Sequence, residues 1–145
     1  SVIIADDGSR ISLGDDGKLQ IVASDAPVHD PTTDTAEVIY SQTCALCHGK
    51  SGEGVANNPA RAFNDIVWQD EATDEEISWI IRHGTMPLMS AGSAEEQGML
   101  AALKKRKTFK ALTGGMAPNG GRISAPLTDE QVQGLTRLIR SFKGN

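Results

Sequence analysis

The chain is poor in aromatic residues, long apolar runs and cysteine, and each shortage excludes a class of protein. Six of its 145 residues are aromatic, which is little flat apolar surface for a core of this size. No apolar run approaches the ~20 residues of a membrane-spanning helix, so we expect no membrane span. Two cysteines cannot supply the paired-cysteine ligand set of a structural zinc site.

Positive charge is also scarce, and it is concentrated in one region. The formal net charge is −5. Residues 1–37 hold eight acids and two bases, whereas residues 94–112 hold five bases and two acids. Because phosphate neutralisation dominates nucleic-acid affinity, an acidic chain with one basic patch argues against nucleic acid as a partner. The patch suits electrostatic steering toward another protein.

The most informative motif is C-x-x-C-H, formed by Cys44, Cys47 and His48. This spacing indicates attachment of a c-type haem. Two thiols on one helical turn can each form a thioether to a haem vinyl group, and the adjacent histidine can bind the iron. One covalent haem c is therefore the predicted cofactor, and its porphyrin would supply the flat apolar surface that the aromatic residues do not.

Other interpretations of the motif are weaker. A thioredoxin-like dithiol is expected at a helix start in a βαβ setting, whereas this pair lies near a helix end without a βαβ pattern. If the haem uses both cysteines, none remains for a disulfide.

Turn signals divide the chain into an N-terminal extension with linker, 1–33, and a helical domain, 34–145. Short β-like runs alternate with Asp6-Asp7-Gly8 and Asp15-Asp16-Gly17, which predicts a β-hairpin or small meander over residues 1–23. Residues 24–33 are predicted as a linker. Residues 49–70 and 113–127 are rich in Gly, Asn and Pro and are predicted as loops.

Four helix starts are predicted from capping-box patterns ahead of apolar-periodic runs. The third helix is expected to reach Leu112, and the second to stop at Gly84. The four starting pairs are Asp34 with Glu37, Thr73 with Glu76, Ser93 with Glu96, and Thr128 with Gln131.

The order of these features resembles a class I, monohaem cytochrome c. The resemblance comprises a helix, C-x-x-C-H, a Gly-rich loop, a second helix, Met86-Pro87 and a last helix that starts Leu127-Thr128-Asp129-Glu130-Gln131. It implies a mainly α, cytochrome c-like fold around a covalent haem, with the small β-hairpin or meander as an addition.

In that family a Met-Pro after a helix supplies the second axial ligand, so the resemblance implies His48 and Met86 as iron ligands. A thioether is a soft, neutral donor that raises the potential relative to two histidines. Met116, closer to the last helix, is the main alternative, and Met89 is a minor one. His83 is a further alternative ligand, whereas His29 in the linker has no such role.

The resemblance also implies roles for three residues near the haem. A proline carbonyl in the family's post-motif loop accepts the ring N–H of the proximal histidine, and Pro59 is the nearest match, although Asn-Pro replaces the usual Gly-Pro. Arg61 and Trp68 could donate to the haem propionates. The alternatives are a surface arginine and a buried core tryptophan.

Two departures from the family pattern set this chain apart. The positions where the family packs a glycine of the first helix against an aromatic residue of the last are matched by Ala36 and Leu138, so the spacing of that crossing is expected to differ. Residues 88–126 form an insertion before the last helix. It holds a basic run that is either a solvated helix face or a docking site for redox proteins: Lys104, Lys105, Arg106 and Lys107.

The predicted function is a soluble, monomeric electron carrier with His/Met-ligated haem, and no residue pattern indicates acid–base or nucleophilic catalysis. The resemblance implies that haem c is attached after export. Ser1 is therefore interpreted as close to the N-terminus of a processed, mature chain, and the location as periplasmic or otherwise extracytoplasmic. One alternative is a haem-based small-ligand sensor or peroxidase-like protein. Another is an electron acceptor dedicated to a quinoprotein dehydrogenase, because residues 63–68 faintly resemble such cytochromes.

Overall fold

The computed structural model describes residues 2–4, 9–24, 29–112, 115–122 and 125–145. They form two compact units, Ser1–Asp30 and Pro31–Asn145. The predicted turn at Asp6-Asp7-Gly8 and residues 25–28 of the predicted linker lie outside the described residues, as does Gly114.

The N-terminal unit contains a three-stranded antiparallel sheet with strand order β1-β2-β3. Its strands are β1 (Val2–Ile4), β2 (Ser9–Leu13) and β3 (Leu19–Ser24). Leu13 pairs with Leu19 across the second turn, where the Gly14 N–H donates to the Lys18 carbonyl at 2.8 Å. Gly17 adopts φ +79°, a conformation that glycine reaches without steric cost. The predicted meander is confirmed.

The second unit is helical, and its first segment, residues 36–48, carries the C-x-x-C-H motif at its end. This segment comprises α1 (Ala36–Ile39), a π-helical stretch (Tyr40–Cys44) and α2 (Ala45–His48). The remaining helices are α3 (Ile66–Glu71), α4 (Asp74–His83), α5 (Met86–Met89), α6 (Ala94–Lys104) and α7 (Asp129–Ser141), and 3-10 turns lie at Pro31–Thr33 and Pro118–Gly121.

Three of the four predicted helix starts are confirmed by their caps. The hydroxyls of Thr73, Ser93 and Thr128 accept hydrogen bonds from the backbone N–H groups three residues later, which satisfies donors that a helix start leaves unpaired. The first helix begins one residue later than predicted. Thr35 is the cap, while the Asp34 carboxylate accepts from Arg122 at 2.5 Å.

Two predicted boundaries are wrong. Residues 49–70 are not all loop, because the Asp65 carboxylate caps the short helix α3 by accepting from the N–H groups of Val67 and Trp68. The third predicted helix ends at Lys104 rather than at Leu112. Beyond it the backbone turns toward α3, where the N–H and hydroxyl groups of Thr108 donate to the Glu71 carboxylate.

The core of the second unit lies where α7 packs on the first segment and on α4. The inner face of α7 is almost inaccessible, with Val132, Leu135 and Ile139 0–4% exposed. Burial of each such side chain contributes about 1.5–3 kcal/mol. From α4, Ile77 and Ile81 join this core, while Ile80 is half-buried.

The crossing of α1 and α7 depends on a glycine of the last helix. A Cβ built on Gly134 would lie 3.2 Å from the Cβ of Ala36, so the two backbones approach closely. The residue opposite Ala36 is thus Gly134 rather than Leu138, which is only partly buried against the core. The small-residue contact exists, but the glycine belongs to α7.

Replacement of Gly134 with valine should lower the free energy of unfolding by about 1–3 kcal/mol, because the added atoms overpack the contact with Ala36. Denaturant unfolding of the haem-loaded protein measures this. Gly98→Val in α6 is the matched control, since a Cβ at Gly98 meets nothing within 4 Å. Equal losses from both substitutions would show that the close approach is unimportant.

Candidate haem-binding site

A cavity of about 400 Å³ opens beside the C-x-x-C-H motif in the second unit, within the range of small-molecule and cofactor sites. Cys44, Cys47 and His48 line one part of it. Its walls are largely aliphatic residues from the first segment, α4, the end of α6, the segments that follow α6 and precede α7, and α7 itself: Ile39, Ile77, Ile80, Ile81, Leu103, Leu112, Leu127, Leu135 and Ile139.

The π-helical stretch leads directly into the motif and ends at Cys44. Single π turns inside α-helices occur frequently at functional sites. Cys44 is half-buried, and before haem attachment burial raises the pKa of its thiol to about 11, with a smaller contribution from the neighbouring Cys47. A buried neutral thiol is a poor nucleophile toward general oxidants.

His48 is held by a carbonyl and by an aromatic ring. Its Nδ1 lies 2.7 Å from the Arg61 carbonyl oxygen, and its ring stacks on Phe63 at a centroid distance of 4.2 Å. A carbonyl only accepts, so Nδ1 carries the proton and Nε2 keeps its lone pair. Burial lowers the pKa of His48, and the hydrogen bond to Arg61 opposes this less strongly, which favours the neutral imidazole.

The predicted role of Pro59 is wrong, because its carbonyl is not the one that accepts the ring N–H of His48. The acceptor belongs to Arg61, which follows a turn where the Asn58 side chain accepts from the Ala60 N–H at 2.9 Å. Pro59 lines the cavity instead.

Arg61 and Trp68 both line the cavity and contact each other. The Arg61 guanidinium carbon lies 5.9 Å from the Trp68 ring centroid, a cation–π distance. An N–H of the same guanidinium donates to the Thr108 carbonyl at 2.5 Å. Burial lowers the pKa of Arg61. The arginine is therefore a half-buried cation in the cavity wall.

The two main candidate methionines occupy different positions. Met116 lines the cavity, whereas Met86 is 58% exposed and is not among the described residues of that lining. Their segments are nonetheless adjacent, since the Thr85 N–H donates to the Met116 carbonyl at 2.9 Å. Met89 is also exposed, and the exposed His83 ring packs on Trp79.

The four side chains of the basic run do not all project into solvent. Lys104, Lys105 and Lys107 are exposed, but Arg106 turns inward, lines the cavity and pairs with the buried carboxylate of Glu76. Its guanidinium also donates to the Glu71 carbonyl. The prediction that Arg106 is available for docking is wrong, because α4 places a buried acid within its reach.

The Glu71 carboxylate is the second link between the turn after α6 and the preceding helices. It accepts from the Thr108 hydroxyl at 2.7 Å and from the backbone N–H groups of Lys107 and Thr108. The Thr108 hydroxyl and then these N–H groups lower the pKa of Glu71. The turn after α6 is thus fixed as one wall of the cavity.

Sequence reasoning missed several residues that shape the site. Phe63 stacks on His48, and the Tyr40 hydroxyl donates to the Gly49 carbonyl at 2.7 Å, immediately after the motif. Burial raises the pKa of Tyr40, which keeps it a neutral donor. Three of the six aromatic residues of the chain thus contact one another around the first segment: Tyr40, Phe63 and Phe142.

These residues fit a covalent haem c. Two cysteines at C-x-x-C-H spacing and a neutral histidine line an otherwise largely aliphatic cavity. A half-buried arginine and a tryptophan, both hydrogen-bond donors, lie in the same wall.

The family model described as cytochrome c oxidase, cbb3-type, subunit III matches residues 31–103. That match covers half of the chain, and the chain belongs to this family of cytochrome c domains. It is a mainly helical, monohaem c-type cytochrome with covalent haem c, and it acts in electron transport. No solved structure matches the chain. Within the described ranges, every helix is too short or too polar to cross a membrane.

Replacement of Arg106 with alanine should lower the free energy of unfolding by about 2 kcal/mol, because the buried Glu76 carboxylate then loses its partner. Denaturant titration of the haem-loaded protein measures this. Lys104→Ala removes an exposed cation from the same run and should change stability little. Equal effects of the two substitutions would contradict a specific role for the ion pair.

Proposed function

We propose that the chain is a soluble, monomeric, periplasmic electron carrier whose haem iron is bound by His48 and a methionine. One observation carries the proposal: the C-x-x-C-H cysteines and a neutral, rigidly oriented His48 line a largely aliphatic cavity. The group that binds there supplies a one-electron ferric/ferrous couple. Cys44 and Cys47 form its two thioethers, and the Arg61 carbonyl and Phe63 fix the orientation of the histidine ring.

In this proposal Pro59, Arg61 and Trp68 complete the cofactor site. Pro59 contributes apolar surface to the wall. Arg61 and Trp68 donate to the propionate groups, a role supported by their position in the wall and by the charge that Arg61 retains there.

The sixth ligand is a methionine from one of two adjacent segments. The Met86-Pro87 motif after α4 supports Met86, as the family resemblance implies. The cavity lining supports Met116. Either thioether would fill the open position that oxygen or peroxide chemistry needs, which favours electron transfer over catalysis at the iron.

Met86→Ala and Met116→Ala, each in the haem-loaded protein, separate these candidates. The oxidised wild type should show the sulfur-to-iron charge-transfer band, and one of the two variants should lose it. Loss in Met86→Ala is the result that the Met-Pro motif predicts, and loss in Met116→Ala is the result that the cavity lining predicts. The variant without its thioether should also have a lower reduction potential.

The same spectra test the wider proposal. If both variants keep the band, neither methionine is the ligand. If the wild type has no band and its ferrous form binds CO rapidly, a ligand sensor or peroxidase-like protein replaces the electron carrier.

We further propose that redox proteins with an acidic surface dock near the basic run. Lys104, Lys105 and Lys107 are exposed there, next to Arg106 and Lys110 of the cavity wall. In a chain with a net charge of −5, this local positive potential orients an approaching anion toward the cavity.

The Lys105→Gln, Lys107→Gln double variant should slow oxidation of the ferrous protein by ferricyanide by about fivefold at low ionic strength. The difference should vanish at high salt, where exposed charges are screened. Stopped-flow absorbance measures the rate. Lys18→Gln with Lys143→Gln makes the same change in net charge elsewhere and is the control. Equal slowing by both pairs would show that net charge, rather than the basic run, controls the encounter.

A further inference from the structure

Thr85 joins the two segments that carry the candidate ligands. Its backbone N–H donates to the Met116 carbonyl at 2.9 Å, and its hydroxyl accepts from the Met116 N–H at 2.6 Å. Both backbone polar groups of Met116 are thus bound to one residue. Thr85 and Met116 also line the cavity, so this pair of hydrogen bonds lies in its wall.

Two glycines let the segments approach this closely. Gly84 adopts φ +72°, and a Cβ there would meet the Met116 carbonyl and lie 2.8 Å from the carbonyl carbon of Ala117. On the opposite segment, a Cβ on Gly115 would lie 2.7 Å from Cγ of Met86 and 3.3 Å from Sδ of Met89. At Gly84 the two backbones therefore pack directly on each other, and at Gly115 the Met86 and Met89 side chains pack on the backbone.

As a result, the candidate ligands belong to one structural unit. Met86 directly follows Thr85 in the chain and packs over Gly115, while Met116 is hydrogen-bonded to Thr85. A movement of Thr85 would displace both methionines relative to the cavity. We propose that Thr85 is the positioning residue for the sixth ligand of the iron; this inference rests on the proposed His/Met ligation.

The physical reason is preorganisation. Removal of the Thr85 hydroxyl leaves the Met116 N–H without its acceptor in a half-buried wall, a loss comparable to a hydrogen bond. The backbone of the paired segments then gains freedom. A thioether must be held at the iron to exclude competing ligands, so this freedom weakens ligation without changing the ligand itself.

Thr85→Val preserves the shape of the side chain and removes the hydroxyl, whereas Thr85→Ser retains the hydroxyl. Imidazole is the probe, because it competes with the thioether at the ferric iron. In Thr85→Val we expect imidazole to bind about tenfold more tightly, the equivalent of one lost hydrogen bond, and the sulfur-to-iron band to weaken. Thr85→Ser should restore both values to those of the wild type.

Thr136→Val is the control for a purely structural effect. The buried Thr136 hydroxyl donates to the Val132 carbonyl at 2.9 Å and lies 3.0 Å from the Ser78 hydroxyl, so its loss should lower stability without changing imidazole affinity. If Thr85→Val and Thr136→Val bind imidazole equally, or if Thr85→Val matches the wild type, the positioning role is wrong while His/Met ligation stands. A wild type without the band overturns both proposals.

Discussion

The close approach of α1 and α7 is the contact on which the rest of the site depends. Gly134 lets α7 lie against Ala36, and this fixes the segment whose far end is His48. Tyr40 holds the rest of that segment in place, because its ring packs on Phe142 and its hydroxyl donates to the Gly49 carbonyl. The backbone of His48 is thus fixed by these contacts. The loop that follows then places the Arg61 carbonyl within hydrogen-bond distance of the histidine ring.

The turn after α6 is part of the pocket rather than an appendage. Glu71 and Glu76 bind the turn after α6 through Thr108 and Arg106, in surroundings where partial burial strengthens charged hydrogen bonds. The family match ends at residue 103, before this turn. The motif and α4 therefore lie inside the matched region, whereas Arg106 and Thr108 lie beyond it.

Sequence reasoning succeeded where the determining interaction is local. The caps at Thr73, Ser93 and Thr128 follow from side chains that bind backbone groups three residues away, and C-x-x-C-H is likewise contained in one helical turn. It failed where partners are distant in the chain. The carbonyl acceptor of His48 carries no side-chain signature, and the inward turn of Arg106 depends on a glutamate 30 residues earlier. The Ala36 contact was assigned to Leu138 because a helix crossing cannot be derived from either helix alone.

The π-helical stretch from Tyr40 to Cys44 has a consequence for how this chain can vary. A π turn holds one residue more than an α turn, and one residue corresponds to a rotation of about 100° around the helix axis. The extra residue therefore rotates the face that presents the cysteines relative to the face that contacts α7. Deletion of one residue in this stretch would leave the residues of the helix crossing and of the motif unchanged. It would nevertheless rotate the cysteines and His48 away from the cavity.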